Sequence, residues 1–211
     1  YWDIEKNLEK KNMNDGNIFY QNYTIEDKIG KLIYLRHPTE EDVEGKWHEW
    51  FSDEETTKYI ADQYWPNSIE RQLGFYRNIC QETINETKRD LVLSVVTKDE
   101  DLHIGLVGLS RINWVHRYAD LIIIIGEPDY RKIPYTLEAH ELMHKIAFLR
   151  LNLLNVMSYY AATNKGAIAV QNLFKYKKVG AFTEAMSIDG KRVDLAMGML
   201  NKNDYIKSRN E

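Results

Sequence analysis

The residues of this chain that could do chemistry gather between Ala119 and Phe148, in the run ADLIIIIGEPDYRKIPYTLEAHELMHKIAF. The pattern predicts a buried strand, a tight turn and an amphipathic helix. Residues 122–125 are too few and too β-branched for a helix and suit a strand covered on both faces. Gly126 and Pro128 end it. From Leu137 onward, Leu142, Met143, Ile146, Ala147 and Phe148 recur at helical spacing, with Glu138, Glu141 and Lys145 on the other side. A helix beginning at the end of such a strand aims free N–H groups and the positive end of its dipole at the junction, which favours a phosphate. Residues 130–136 are therefore a candidate pyrophosphate loop. An ordinary strand-to-helix connection is the alternative.

Within that helix, His140, Glu141 and His144 spell HELMH, the H-E-x-x-H pattern in which two imidazoles one turn apart hold zinc and the glutamate acts as base. Packing is the favoured reading, because the helix already lies behind the proposed loop and no third ligand is evident; no metal is expected. Asp120, at the start of the predicted strand, is a weak candidate for a base acting through water. Its plainer account is a solvated strand-end carboxylate. The single cysteine, Cys80, falls in a helical pattern with Ile69, Leu73, Phe75, Tyr76 and Ile79 and reads as a small packed thiol, compatible with a reducing cytoplasm.

The 211 residues suffice for one domain with a substantial core. A net charge of -4 without a basic stripe argues against nucleic acid as a partner. No run approaches the ~20 apolar residues of a membrane span, and the first residues lack a signal-peptide core. A soluble cytoplasmic protein without a membrane partner is expected. The 14 tyrosines and 5 tryptophans, many before residue 80, are read as core-edge residues before groove residues.

These groups are positioned by a legible order of elements. Residues 1–28 form an N-terminal extension, with a short helix before Asp15-Gly16, and the main domain is expected over 29–203, followed by a tail at 204–211. Residues 31–36 alternate as a strand stopped by His37-Pro38. Thr39 and Asp42 have the spacing of a capping box before Val43, Trp47, Trp50 and Phe51. A second helix over 68–82 is capped by Asn67 or Ser68. Strands follow at 90–97, 104–113 and 118–126, then the helix described above, a strand at 155–162, a helix at 165–174, and strands at 177–186 and 191–200 joined by Asp189-Gly190, a hairpin dipeptide.

In that order, the motifs YLRHPTEEDV, IGLVGLSRINWVHRYADLIIIIGEPDYR, Glu138-Ala139, Asn164 with Ala167, and DGKRVDLAMGML resemble the GNAT superfamily of acyl-CoA N-acyltransferases. The likeness is greatest to the branch of ribosomal-protein N-terminal and spermidine acetyltransferases and spans about residues 31–200. It implies an α/β GNAT fold, a mixed and mostly antiparallel sheet flanked by helices, whose fourth and fifth strands splay apart. It further implies acetyl-CoA as co-substrate, with pantetheine along the fourth strand and pyrophosphate in a loop of form R/Q-x-x-G-x-G/A. Carried onto this chain, the cofactor contacts are Ile124, Gly126, Arg131, Lys132 and Asn164, and backbone N–H groups of 124–126 polarise the thioester.

The chain departs from the family at four places. Pro134 and Thr136 stand where the loop has glycines, Gln171 stands where many relatives have a tyrosine acid, and Lys175-Tyr176 replaces Gly-Phe. Proline removes a donor, which Arg131 and Lys132 would offset by charge. The expected function is acetyl-CoA-dependent N-acetylation of a primary amine on a peptide N-terminus, a polyamine or an amino sugar. A weak or inactive GNAT-fold binding or regulatory protein is the alternative, and a homodimer stays open.

Overall fold

In the computed structural model, which describes residues 29–80 and 88–210, seven strands make one sheet. They are β1 (Ile33–Arg36), β2 (Leu91–Thr97), β3 (His103–Asn113), β4 (Tyr118–Ile125), β5 (Asn155–Ala161), β6 (Lys177–Ile188) and β7 (Lys191–Asn201), in the spatial order β1-β2-β3-β4-β5-β7-β6. All neighbours are antiparallel except β4 and β5. This is the mixed, mostly antiparallel α/β architecture expected. The N-terminal extension and the end of the second predicted helix, at 81–82, lie outside the described residues.

The helical arm between β1 and β2 starts as its sequence dictates. Thr39 accepts the Asp42 N–H at 3.3 Å while Asp42 accepts the Thr39 N–H at 3.0 Å, capping α1 (Glu40–Asp42). A wider turn, Val43–Trp47, kinked at Gly45, leads into α2 (His48–Trp50). Asp53 caps α3 (Glu54–Thr57) and Ser68 caps α4 (Ile69–Phe75). Asp42 also receives both guanidinium nitrogens of Arg36 at 2.5 Å, the Ser94 hydroxyl at 3.0 Å and a contact from His103 Nδ1 at 3.3 Å. Burial alone would raise this carboxyl, but the Arg36 hydrogen bonds and the His103 charge outweigh it and hold the pKa below its ordinary value.

The sheet separates two cores. On one face Leu93, Val95, Val107, Ala119 and Leu121 pack against α5 (Ile133–Lys145) through Ala139, Leu142 and Met143, with Ile146 just past its end. On the other, Val92, Leu106 and half-buried Ile124 pack against Val43, Trp47, Trp50, Tyr76 and Cys80 of the arm. Strand alternation sends Ile123 and Ile125 to the first core and Ile124 to the second. Cys80 is the packed thiol expected, its pKa pushed up to about 12 by burial and then by the Asp42 charge. Glu138 ties α5 to the start of β1, its carboxylate accepting the N–H groups of Lys31, Leu32 and Ile33 at 2.5, 2.7 and 2.9 Å.

Two elements differ from the sequence expectation. Helix α5 begins at Ile133, not near Leu137, with Pro134 in its first turn. That position suits proline, whose fixed φ fits the helix and whose missing N–H would have no partner within it. The residues read as the edge of the domain and a polar tail form α7 (Lys202–Asn210), whose Tyr205 is 3 % exposed and joins the first core. Between β5 and β6 lies α6 (Lys165–Leu173), as expected. Among the described residues no helix is long and apolar enough to cross a membrane.

Candidate active site

Strands β4 and β5 pair at only three positions, Tyr118 with Asn155, Ala119 with Val156 and Asp120 with Met157. Beyond Asp120 the two diverge, while β4 stays paired with β3 as far as Ile125 and β5 with β7 as far as Ala161. A wedge therefore opens in the middle of the sheet, with an unpaired backbone edge on each side. The isoleucine run was expected to be covered on both faces. Instead Ile122 is 42 % exposed and Ile123, Ile124 and Ile125 are half-buried.

The β3 register decides which β4 groups face the wedge. Gly126 donates its N–H to Ile104 O at 2.9 Å, and Ile124 lies opposite Leu106 in the same register. Antiparallel ladders alternate, so the backbones of Ile122, Ile124 and Gly126 point to β3, and those of Ile123 and Ile125, beyond the last pair with β5, point into the wedge. Of the expected N–H groups at 124–126, that of Ile125 faces the wedge, while those of Ile124 and Gly126 are turned to β3. Gly126 is needed for packing: a Cβ there would collide with the Trp50 ring.

Arg131 is also placed differently from its expected phosphate role. Its guanidinium donates to Gly126 O at 2.8 Å, to Ile125 O at 3.3 Å, to Asp53 Oδ2 at 2.9 Å and to the Thr56 hydroxyl at 2.5 Å. Arg131 thus fastens the end of β4 to the cap of α3. Lys132 is exposed and occupies the N-cap position of α5. The helix N-terminus offers the Ile133 and Tyr135 N–H groups, Pro134 has none, and Thr136 returns its own to Lys132 O at 3.4 Å. Lys132 and the free N–H groups of the first turn of α5 are therefore the groups at this helix end that an anion could meet. Asn164, on the far wall beyond β5, caps α6 by accepting the Ala167 N–H at 3.0 Å.

Asp120 sits at the vertex of the wedge, on the second-core face with Ile122 and Ile124. It is only 4 % exposed, not solvated, and Arg111 forms a short two-nitrogen ion pair with it. A β-bulge between Ser110 and Asn113, with Arg111 at φ 52°, turns that side chain onto this face. Burial pushes the Asp120 carboxyl up against the opposing pull of Arg111. Arg111 also lies 5.3 Å over the Tyr159 ring, and Tyr159 is on β5 past the last pair with β4. Arg111 was not legible as a site residue, because only the bulge and the register bring it to Asp120.

On the same face a cavity of about 290 Å³ extends from β4 under the helical arm. Its walls are Phe51, Ile60, Phe75, Leu106, Ile122 and Ile124, with Asp62 and Arg71 at its margin. Gln171, at the position of the relatives' tyrosine, is buried with Oε1 against Gly198 and no hydrogen-bond partner. Tyr176 is committed to His144 Nε2 at 2.7 Å.

The HELMH imidazoles lie inside the first core. His140 Nδ1 donates to Thr136 O at 2.8 Å, and the ring stacks on Phe174; His144 is enclosed by Phe148, Phe174, Tyr176 and Tyr205. Burial lowers His140 to about 4 and His144 well below its ordinary range. Glu141 is turned to Tyr205 and Arg209. These residues pack α5 against α6 and α7.

Residues 33–174 match the acetyltransferase (GNAT) domain. Among solved structures, spermidine N-acetyltransferase from Vibrio cholerae in complex with CoA and spermine is 20% identical, with a TM-score of 0.74 over 84% of this chain and 99% of that one. Mutant forms of the spermidine/spermine N-acetyltransferase SpeG from Vibrio cholerae are 21% identical, with a TM-score of 0.70 over 86% and 100%. A probable acetyltransferase is 16% identical, with a TM-score of 0.70 over 83% and 96%. No curated protein matches the sequence.

Proposed function

Because this chain belongs to the GNAT acetyltransferase family, whose members use acetyl-CoA, we propose that it acetylates a primary amine held at the β4 side of the wedge. The observation that carries the reading is the parting of β4 and β5 after Asp120, which leaves the N–H groups of Ile123 and Ile125 without a strand partner. Those groups fit an extended amide-bearing arm, and they can donate to a carbonyl oxygen as negative charge develops on it. Acetyl-CoA would supply an activated acetyl group: a C–N bond forms to the amine, the C–S bond breaks with its electron pair on sulfur, and the amine's proton ends on the thiol.

Each residue then has a distinct task. Lys132 and the first turn of α5 hold the phosphates, Arg131 keeps the β4 end in place, and Asn164 fixes the opposite wall. An amine reaches the site mostly as ammonium and must lose a proton to become a nucleophile. Asp120, buried at the vertex with its carboxyl pushed upward, takes that proton through water; a base nearer neutrality is more effective at this step. Tyr159 is the phenol on the same face, placed to return a proton to the leaving sulfur.

Calorimetric titration with acetyl-CoA, followed by thiol-release assays on an amine series, tests this reading. Lys132→Ala should weaken binding about tenfold, the scale of a hydrogen bond to a charged group. Asp120→Asn should leave affinity unchanged and lower turnover by about two orders of magnitude or more. Absence of any binding heat in the unmodified protein would overturn the proposal.

A further inference from the structure

The cavity against β4 points to a more specific acceptor. We infer that it takes a primary amine carrying a compact apolar or aromatic group, and that it excludes a second ammonium from its depth. The inference rests on the acyl-transfer reading above. At about 290 Å³ the space is at the lower edge of small-molecule pockets.

Its walls decide the chemistry. Phe51, Ile60, Phe75, Leu106, Ile122 and Ile124 present hydrocarbon, and Phe75 and Ile122 keep 40 % and 42 % exposure although each faces a cavity where an apolar ligand would cover it. The charged lining groups neutralise one another, with Arg71 donating to Asp62 at 3.1 Å and to Pro66 O at 2.7 Å. The buried polar group is also satisfied: Gln72 Oε1 accepts Trp47 Nε1–H at 3.0 Å, and its amide donates to Asn67 Oδ1 at 2.7 Å. A cation carried past Ile122 would thus lose its water and meet no uncommitted carboxylate, which is costly. An alkyl or aryl group would lose only contact with water. Ile122 and Ile124 line both cavity and wedge edge, so such a group would seat between Phe51 and Phe75 with its amine at β4.

This specificity differs from that named for the spermidine N-acetyltransferases that share the fold, and kinetics can separate the two. The full chain would be assayed by thiol release with acetyl-CoA and 2-phenylethylamine, isopentylamine, a dipeptide amide with N-terminal leucine, or spermidine. The apolar amines should exceed spermidine in kcat/KM by about tenfold or more, the discrimination one well-filled apolar pocket gives. The peptide arm tells a free amine from a chain terminus bearing the same apolar group. Phe75→Ala should lower kcat/KM for the apolar amines about tenfold with acetyl-CoA affinity unchanged, and Ile122→Asp should shift preference toward spermidine. A clear preference for spermidine in the unmodified protein, lost in Asp62→Asn, would overturn the inference. If acetyl-CoA binds but no amine is turned over, the catalytic reading fails by itself; calorimetry of 2-phenylethylamine against spermidine in the presence of CoA then decides the pocket chemistry directly.

Discussion

Acid should unfold this protein by a route that His140 makes measurable. Its ring is 4 % exposed, bonds only to Thr136 O and stacks on Phe174, and burial lowers its pKa from 6.5 to about 4. The unfolded chain therefore takes up a proton as pH falls through 6.5, while the native state resists until about 4. The stability contributed by the neutral ring is complete above the unfolded value and is lost as pH drops between the two. Integrating between about pH 8 and pH 5 gives a loss of about 2 kcal/mol from this residue. His103, lowered to about 4 by burial despite the Asp42 charge, adds a similar loss, which is a large part of the ~5–15 kcal/mol that holds a domain together. Urea unfolding followed by tryptophan fluorescence, at both pH values, reads the sum. In His140→Phe the pH 8 to pH 5 loss should shrink by about 2 kcal/mol, whatever the variant does to stability at pH 8. An unchanged loss would mean that His140 is protonated in the native state and that its burial is misjudged.

Glu138→Gln removes charge from a group that accepts three β1 N–H bonds, and should cost about 2 kcal/mol in the same unfolding assay at pH 8. Lys175 stands at φ 56°, so Lys175→Gly should raise stability by about 1 kcal/mol, read as a higher thermal midpoint. Pro134→Ala restores a donor in the first turn of α5 and should tighten CoA binding by about 0.3 to 1 kcal/mol in calorimetry; weaker binding would place the phosphates away from that turn.

The strands were readable because Leu91–Thr97 and Tyr118–Ile125 are dense in β-branched residues, and the Asp189-Gly190 turn because both residues tolerate the positive φ they adopt, 50° and 74°. Thr39 and Asp42 announced their cap by spacing alone. The start of α5 was not legible: proline reads as a breaker, yet Pro134 lies in the one turn where its lost donor costs the helix nothing. Helix α7 was hidden because its single core residue, Tyr205, sets no apolar period. The tie from Arg131 to Asp53 was not legible, because the two lie far apart in the chain and a contact of that span leaves no local signal. The same limit hid the Arg111–Asp120 pair, which depends on a one-residue irregularity in β3.

The separation of the molecule into two cores by one sheet has a consequence for how the chain can diversify. Side chains that shape the cavity, such as Phe51, Ile60 and Phe75, belong to the arm, whereas α5 and the edge of the wedge rest on the opposite layer. Substitutions on opposite layers share few partners, so their effects should combine nearly additively. Descendants can remodel the arm that walls the cavity while the layer that holds α5 stays fixed. Only residues at the seam, Asp120 and Ile122 to Ile124, answer to both demands, and drift should be slowest there.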